Sequence, residues 1–145
     1  MRGKFITFEG CEGSGKSTQL RLLSEYLDKL GVDYILTREP GGSEIAEQIR
    51  NIILNGKNTA MCDECEALLY AAARVQHLKE KIAPALDKGK LVICDRYVDS
   101  SLAYQGYARG LGREYIENIN SLALERFAPD LTVFLDISPA EAFKR

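Results

Sequence analysis

The chain has no tryptophan, one histidine, four prolines and four cysteines in 145 residues. Each shortage removes a class of explanation. One histidine cannot supply the ligand sets of common zinc sites, and the cysteines stand apart at Cys11, Cys62, Cys65 and Cys94. Only Cys62 and Cys65 have a metal-like spacing, and they lack a second pair, so reduced thiols are expected. Charge excess is missing too, since 19 basic residues face 21 acidic ones for a net charge of -2. No basic block is long enough to form a nucleic-acid stripe, so no nucleic-acid partner is expected. No apolar run approaches the roughly 18 residues that suggest a membrane span, so no membrane partner is expected either. The opening Met1-Arg2-Gly3-Lys4-Phe5-Ile6-Thr7-Phe8 turns polar too early for a signal peptide. A cytoplasmic protein is expected. What is present is an ordinary soluble composition, 46% hydrophobic and 28% charged, and a chain of this size can bury about two-thirds of its unfolded surface without a disulfide or metal staple.

Phe5 to Glu9 is β-branched and aromatic and runs into glycines, the pattern of a strand entering a turn. From Lys16 the residues Leu20, Leu23, Leu27 and Leu30 recur three or four apart until Gly31, which predicts a helix. Val32 to Thr37 reads as a second strand. Ser43 reads as the N-cap of a helix carrying Ile45, Ile49, Ile52 and Ile53 and ended by Asn55-Gly56. Asp63 and Glu66 have the spacing of a capping box at the start of a long helix that Pro84 kinks. Leu91 to Cys94 is a continuous apolar run, as in a strand buried on both faces, and Asp95 ends it. Arg96 to Gly112 is polar, rich in tyrosine and glycine, and reads as a loop. One helix is expected from Arg113 to Phe127 and a fourth strand from Leu131 to Leu135, ended by Asp136. This alternation predicts an α/β fold with a parallel sheet and helices on both faces. Ser138-Pro139-x-Glu141 carries the full set of helix-start signals, yet the sequence stops at Arg145 with no stop signal, so it is expected to be cut.

Gly10-Cys11-Glu12-Gly13-Ser14-Gly15-Lys16-Ser17 matches G-x-x-x-x-G-K-[ST], between a predicted strand and a predicted helix. Such a loop wraps a polyphosphate with backbone N–H groups and adds the positive end of the following helix. Contacts to the phosphates are expected from Gly10 through Thr18. Lys16 is expected at the outer phosphates, with the Ser17 hydroxyl on Mg²⁺. Asp95, at the carboxyl end of its strand, fits the second acidic group such proteins place near the metal. Glu9, Arg38 and Asp136 fall at the same end of the sheet, where ligands of parallel sheets bind. The loop alone serves kinases, switches and motors alike. No Asn-Lys-x-Asp base-reading segment of a GTPase occurs, whereas Arg38, Arg50, Tyr70, Arg74, Arg96, Tyr97, Tyr104 and Gln105 suit a second ligand that is anionic and aromatic-faced.

The sequence resembles the thymidylate kinase family along its whole length. Besides the loop at Gly10, the likeness rests on Thr37-Arg38-Glu39-Pro40-Gly41-Gly42, on Tyr70-Ala71-Ala72-Ala73-Arg74-Val75-Gln76-His77, on Asp95-Arg96-Tyr97-Val98-Asp99-Ser100-Ser101-Leu102-Ala103-Tyr104-Gln105-Gly106, and on Pro129-Asp130-Leu131-Thr132 leading to Leu135-Asp136. The resemblance implies a three-layer P-loop NTPase fold of the nucleoside monophosphate kinase kind, with ATP and Mg²⁺ used to convert dTMP to dTDP. It implies catalytic roles for Lys16, Arg96 and Glu12, and metal ligation by Ser17 and Asp95. On the acceptor side it implies Tyr70 stacked on thymine, Arg74 bonded to the base, and Ser101 and Gln105 near it. Arg50 and Arg96 would meet the dTMP phosphate, Glu12 the 3′-hydroxyl, and Tyr104 the deoxyribose where a 2′-hydroxyl would clash. Arg38 and His77 are left as structural. Members of the family commonly pair as homodimers, and a lid segment and a last strand would follow the helix at Pro139. A chain without them is expected to turn over slowly. The alternatives are a kinase for another monophosphate, or a nucleotide-binding fragment without catalysis.

Overall fold

Four short strands, β1 (Phe5–Glu9), β2 (Tyr34–Arg38), β3 (Leu91–Asp95) and β4 (Leu131–Phe134), run parallel in the order β2-β3-β1-β4. The computed structural model describes residues 1–144. The register sets Phe8 beside Asp95 and Asp95 beside Arg38, so the carboxyl ends of three strands finish level. Side chains alternate across the sheet with period two. Phe5 on β1 and Val92 and Cys94 on β3 face one layer, and Phe8 and Ile93 face the other.

That second layer is α1 (Lys16–Leu30), which lays Leu20 and Leu27 on Phe8 and Ile93. Gly31 ends it by donating its N–H to the carbonyls of Leu27 and Asp28. The opposite face is covered by a longer run. Helix α3 (Asp63–His77) passes through a π turn, Leu78–Ile82, into α4 (Ala83–Asp87), and α7 (Ser121–Arg126) lies alongside. Leu78, Ile82, Leu86 and Ala123 pack there on Phe5 and Val92. Burying each large aliphatic side chain removes enough apolar surface from water to contribute about 1.5–3 kcal/mol. Phe5 meets Tyr97 edge to face, with ring centroids 5.1 Å apart, an arrangement aromatic pairs favour. The expected α/β layers are therefore present.

Several local expectations give way. The segment read as a loop after Arg96 is helical: α5 (Val98–Ser101) runs into a π turn, Leu102–Ala108. Its polar residues point into the site, which removes the apolar period a helix usually displays. The single helix expected at 113–127 is divided at Asn120 into α6 (Arg113–Ile119) and α7. Asn120 has its side chain committed elsewhere, accepting from Arg74 and donating to the Ile116 carbonyl. Asp63 and Glu66 form no capping box. Cys62 is the N-cap, and Glu66 reaches instead to Gln105 and Arg109. Pro84 occupies the first turn of α4, directly after the π turn, where a residue without an N–H is tolerated. Ser43 is the N-cap of α2 (Glu44–Leu54) by position only, and the Glu47 carboxylate takes the N–H of Gly42. The last helix, α8 (Pro139–Ala142), has the cap its sequence announces, with Ser138 Oγ accepting from the Glu141 N–H at 3.3 Å.

Candidate active site

The chain leaves β1 at Glu9 and turns through Gly10–Gly15 before α1 begins. Gly13 is the position where only glycine fits: its φ is 75°, and a Cβ would lie 2.6 Å from the Ala142 carbonyl of α8. The turn encloses a cavity of about 420 Å³ lined by residues 12–18 with Asp95 and Arg96. Lys16, only 7% exposed, folds back over the loop and donates to the carbonyls of Gly10 at 2.9 Å and Cys11 at 3.3 Å. Burial, and next the charge of Arg96, hold its ammonium below the usual lysine range. A charge so placed gains by exchanging those carbonyls for an anion.

Asp95 lines the same cavity, and one carboxylate oxygen is buried with no hydrogen-bond partner among the described residues. An orphaned buried carboxylate oxygen is costly unless a cation or water takes it. With Ser17 on the same wall, it suits a hard, oxygen-seeking divalent ion.

Arg96, one residue on, is held in a left-handed conformation at φ 67°. A non-glycine residue pays roughly 1–3 kcal/mol for this and keeps it only when its surroundings enforce it. They do. The Arg96 N–H donates to the Phe8 carbonyl at 2.9 Å. The next N–H, of Tyr97, donates to Glu9 Oε1 at 2.7 Å, and Ser100 Oγ donates to Glu9 Oε2 at 2.6 Å. Glu9 is 4% exposed, and burial raises its pKa against the pull of those two hydrogen bonds. The clamp aims the Arg96 guanidinium between the two cavities, bonded to Ser100 Oγ and lying over the Tyr104 ring at 5.6 Å.

The second cavity, about 630 Å³, opens beside the first and shares Glu12, Asp95 and Arg96 with it. All eight residues expected on the acceptor side line it: Glu12, Arg50, Tyr70, Arg74, Arg96, Ser101, Tyr104 and Gln105. They come from four separate stretches of chain. Tyr70 and Arg74, four apart on α3, share a helical face, and burial raises the Tyr70 phenol pKa. Arg50 donates to the Pro40 carbonyl at 2.8 Å, as does Arg38 at 2.9 Å, so two guanidinium groups converge at one wall.

Behind that wall lies a polar network that the sequence pattern did not reveal. Arg74, 3% exposed, uses all five of its N–H groups. They go to Glu39 Oε2 at 2.6 Å, Asn120 Oδ1 at 2.5 Å, the Tyr97 carbonyl at 3.1 Å, and twice to Ser101 Oγ at 3.2 Å. The other Glu39 oxygen meets His77 Nδ1 at 3.1 Å, and His77 Nε2 meets Thr37 Oγ1 at 2.7 Å. A carboxylate only accepts, so His77 donates from Nδ1 to Glu39. Gly42, at φ 88°, leaves room that a Cβ would take from the His77 ring. Glu39 and Asn120 are thus supports of the cavity wall that spacing did not disclose, and Glu9, already placed at the end of its strand, braces the chain around Arg96. Glu39 stands in the Thr37–Gly42 motif, the one signal that could have found it, while Asn120 left none. Ligand atoms of Glu39, His77 and Cys94 also lie within 4.8 Å of one another, but Arg74 already supplies the positive charge there.

A family model described as Thymidylate kinase matches residues 8–145. The chain belongs to the thymidylate kinase family. It is 57% identical over 145 residues to a thymidylate kinase of Bacillus pumilus, covering 100% of this chain and 68% of that protein. With one of Clostridium novyi it is 55% identical over 144 residues, covering 99% and 70%. A crystal structure of the thymidylate kinase of Ehrlichia chaffeensis superposes with a TM-score of 0.86 at 42% identity, covering 99% of this chain and 78% of that one.

Proposed function

We propose that the chain transfers the γ-phosphoryl group of ATP to dTMP, giving dTDP. The carrying observation is the shared wall: the phosphate-loop cavity and the acceptor cavity meet at Glu12, Asp95 and Arg96, so two polyanions can be seated end to end with a guanidinium between them. The loop from Gly10 to Thr18 holds the donor phosphates, with Lys16 turning from its carbonyls to the outer ones. Arg50 and Arg96 take the dTMP phosphate, Glu12 the 3′-hydroxyl, and Tyr104 the sugar. Tyr70 stacks on the base, whose edge meets Ser101 and Gln105, and meets Arg74 only through an N–H shared with one of its five protein acceptors. When bound, Mg²⁺ held by Ser17 and Asp95 neutralises charge on the donor phosphates.

No general base is needed. A phosphate monoester has a second pKa near 6, so the acceptor is already largely a dianion at neutral pH. The site's work is alignment and charge, and each placed cation stabilises the transferring group by on the order of 3 kcal/mol. Among the described residues, Lys16 and Arg96 are the only cations lining the phosphate-loop cavity.

Working as a homodimer is supported by exposed apolar side chains on α2 and α3, Ile45, Ile52, Leu68 and Val75 among them. Work in the cytoplasm is in keeping with the composition, and no described helix is long and apolar enough to cross a membrane. The function is tested by ATP-coupled turnover with dTMP, dUMP, dCMP and dGMP, and by titrating dTMP without ATP. Saturable dTMP binding and preference for dTMP are expected; preference for another monophosphate, or none, would refute the reading.

A further inference from the structure

The Gln105 amide is held one way round. Its nitrogen donates to Glu66 Oε1 at 2.9 Å. Its oxygen accepts no side-chain hydrogen bond among the described residues and is not sealed from solvent, while the residue lines the acceptor cavity. The orientation follows from chemistry: a carboxylate only accepts, so the amide must turn its NH₂ toward Glu66 and its carbonyl toward the cavity. Glu66 is itself fixed from behind by Arg109, which donates to Oε2 at 3.2 Å and lies 3.6 Å from Asp63.

Four residues before Gln105, Ser101 has the opposite sense. Both terminal nitrogens of Arg74 donate to its Oγ at 3.2 Å. Its lone pairs are occupied and the five guanidinium N–H groups are spent within the protein, so what this part of the wall has left to offer is the Ser101 hydroxyl proton, a donor. The cavity therefore presents a donor beside an acceptor.

We propose that Glu66 is a positioning residue for base selection: by turning the Gln105 carbonyl into the cavity, it makes the site accept a ring N–H beside an exocyclic oxygen, as in thymine, and refuse the reversed pair of cytosine. Cytosine would set its unprotonated ring nitrogen against the Gln105 oxygen and its amino group against the donors, leaving polar groups unpaired on both sides. The inference rests on the dTMP reading and adds to it a residue that never touches the nucleotide.

Titration calorimetry without ATP separates the two. The intact chain and its Glu66→Gln variant are titrated with dTMP, dCMP and N3-methyl-dTMP. In the variant the facing amide can pair with Gln105 either way round, so the dTMP-to-dCMP affinity ratio is expected to fall about tenfold. N3-methylation should cost the unmodified chain about tenfold or more and the variant much less. An unchanged ratio in a variant that still binds dTMP overturns the role of Glu66 and leaves the dTMP reading standing. An unmodified chain that binds no dTMP overturns both. Should the variant fail to fold, the unmodified chain decides: undiminished affinity for N3-methyl-dTMP overturns the proposal.

Discussion

The phosphate-loop half of the site is nearly one stretch of chain, residues 12–18, joined from elsewhere by Asp95 and Arg96. The acceptor half is assembled from four stretches and works through side chains, with Arg74 and Ser101 anchored in a buried polar network. The difference lies in what holds each half in shape. A glycine-rich turn between a strand and a helix is fixed by its own dihedral angles and the two elements it joins. The acceptor wall has no such local device. Tyr97, Ser101, Asn120 and Glu39 keep their places because all of them bind the one guanidinium of Arg74. Damage to the donor half should thus cost catalysis with the fold intact, whereas damage to the network should cost the fold and the acceptor site together.

The sharpest way to break that contrast is Arg74→Ala. It leaves the Glu39 carboxylate buried with only His77 beside it, and loss of one partner of a buried ion pair costs about 3–5 kcal/mol. Urea unfolding measures it, and a loss below about 1 kcal/mol would mean the wall does not depend on this network. Lys16→Ala is the matching change on the donor side. Transfer should fall on the order of a hundredfold, about 3 kcal/mol in the barrier. The unfolding midpoint should scarcely move, because the lysine gives up only its two hydrogen bonds to the loop's own carbonyls. A large stability loss there would erase the distinction.

The smallest effect is at Glu9, which links the halves by clamping the chain around Arg96. Burial raises its folded pKa above 4.5, the ordinary value. The folded state then binds more protons than the unfolded one between those two pKa values, so this group's contribution to stability declines as pH rises through that window. Glu9→Gln should remove that decline. Comparing unfolding free energies of both forms from acid to neutral pH checks it, and parallel curves would contradict it.

How much of this was legible in the residues depends on how local each feature is. The strands were readable from apolar runs, and the phosphate loop and the cap at Ser138 from short strings whose geometry is self-contained. Tyr70 and Arg74 could be placed together by helical spacing alone. Glu66 misled for the same reason, since its spacing from Asp63 matches a local cap while its actual partner is Gln105, far along the chain. Asn120, in the middle of an expected helix, offered no sign that it would break it to reach Arg74.

The sequence by itself determined the layered α/β fold, the phosphate-binding turn and the family, because periodicity and backbone dihedral preference act over a few residues. Only the tertiary structure decided that Arg74 spends every N–H inside the protein, that Glu39 and Glu9 are supports of the site, and which end of Gln105 faces the cavity. Those outcomes turn on pairing buried polar groups that lie tens of residues apart, and a buried donor or acceptor takes whatever partner the fold brings within reach.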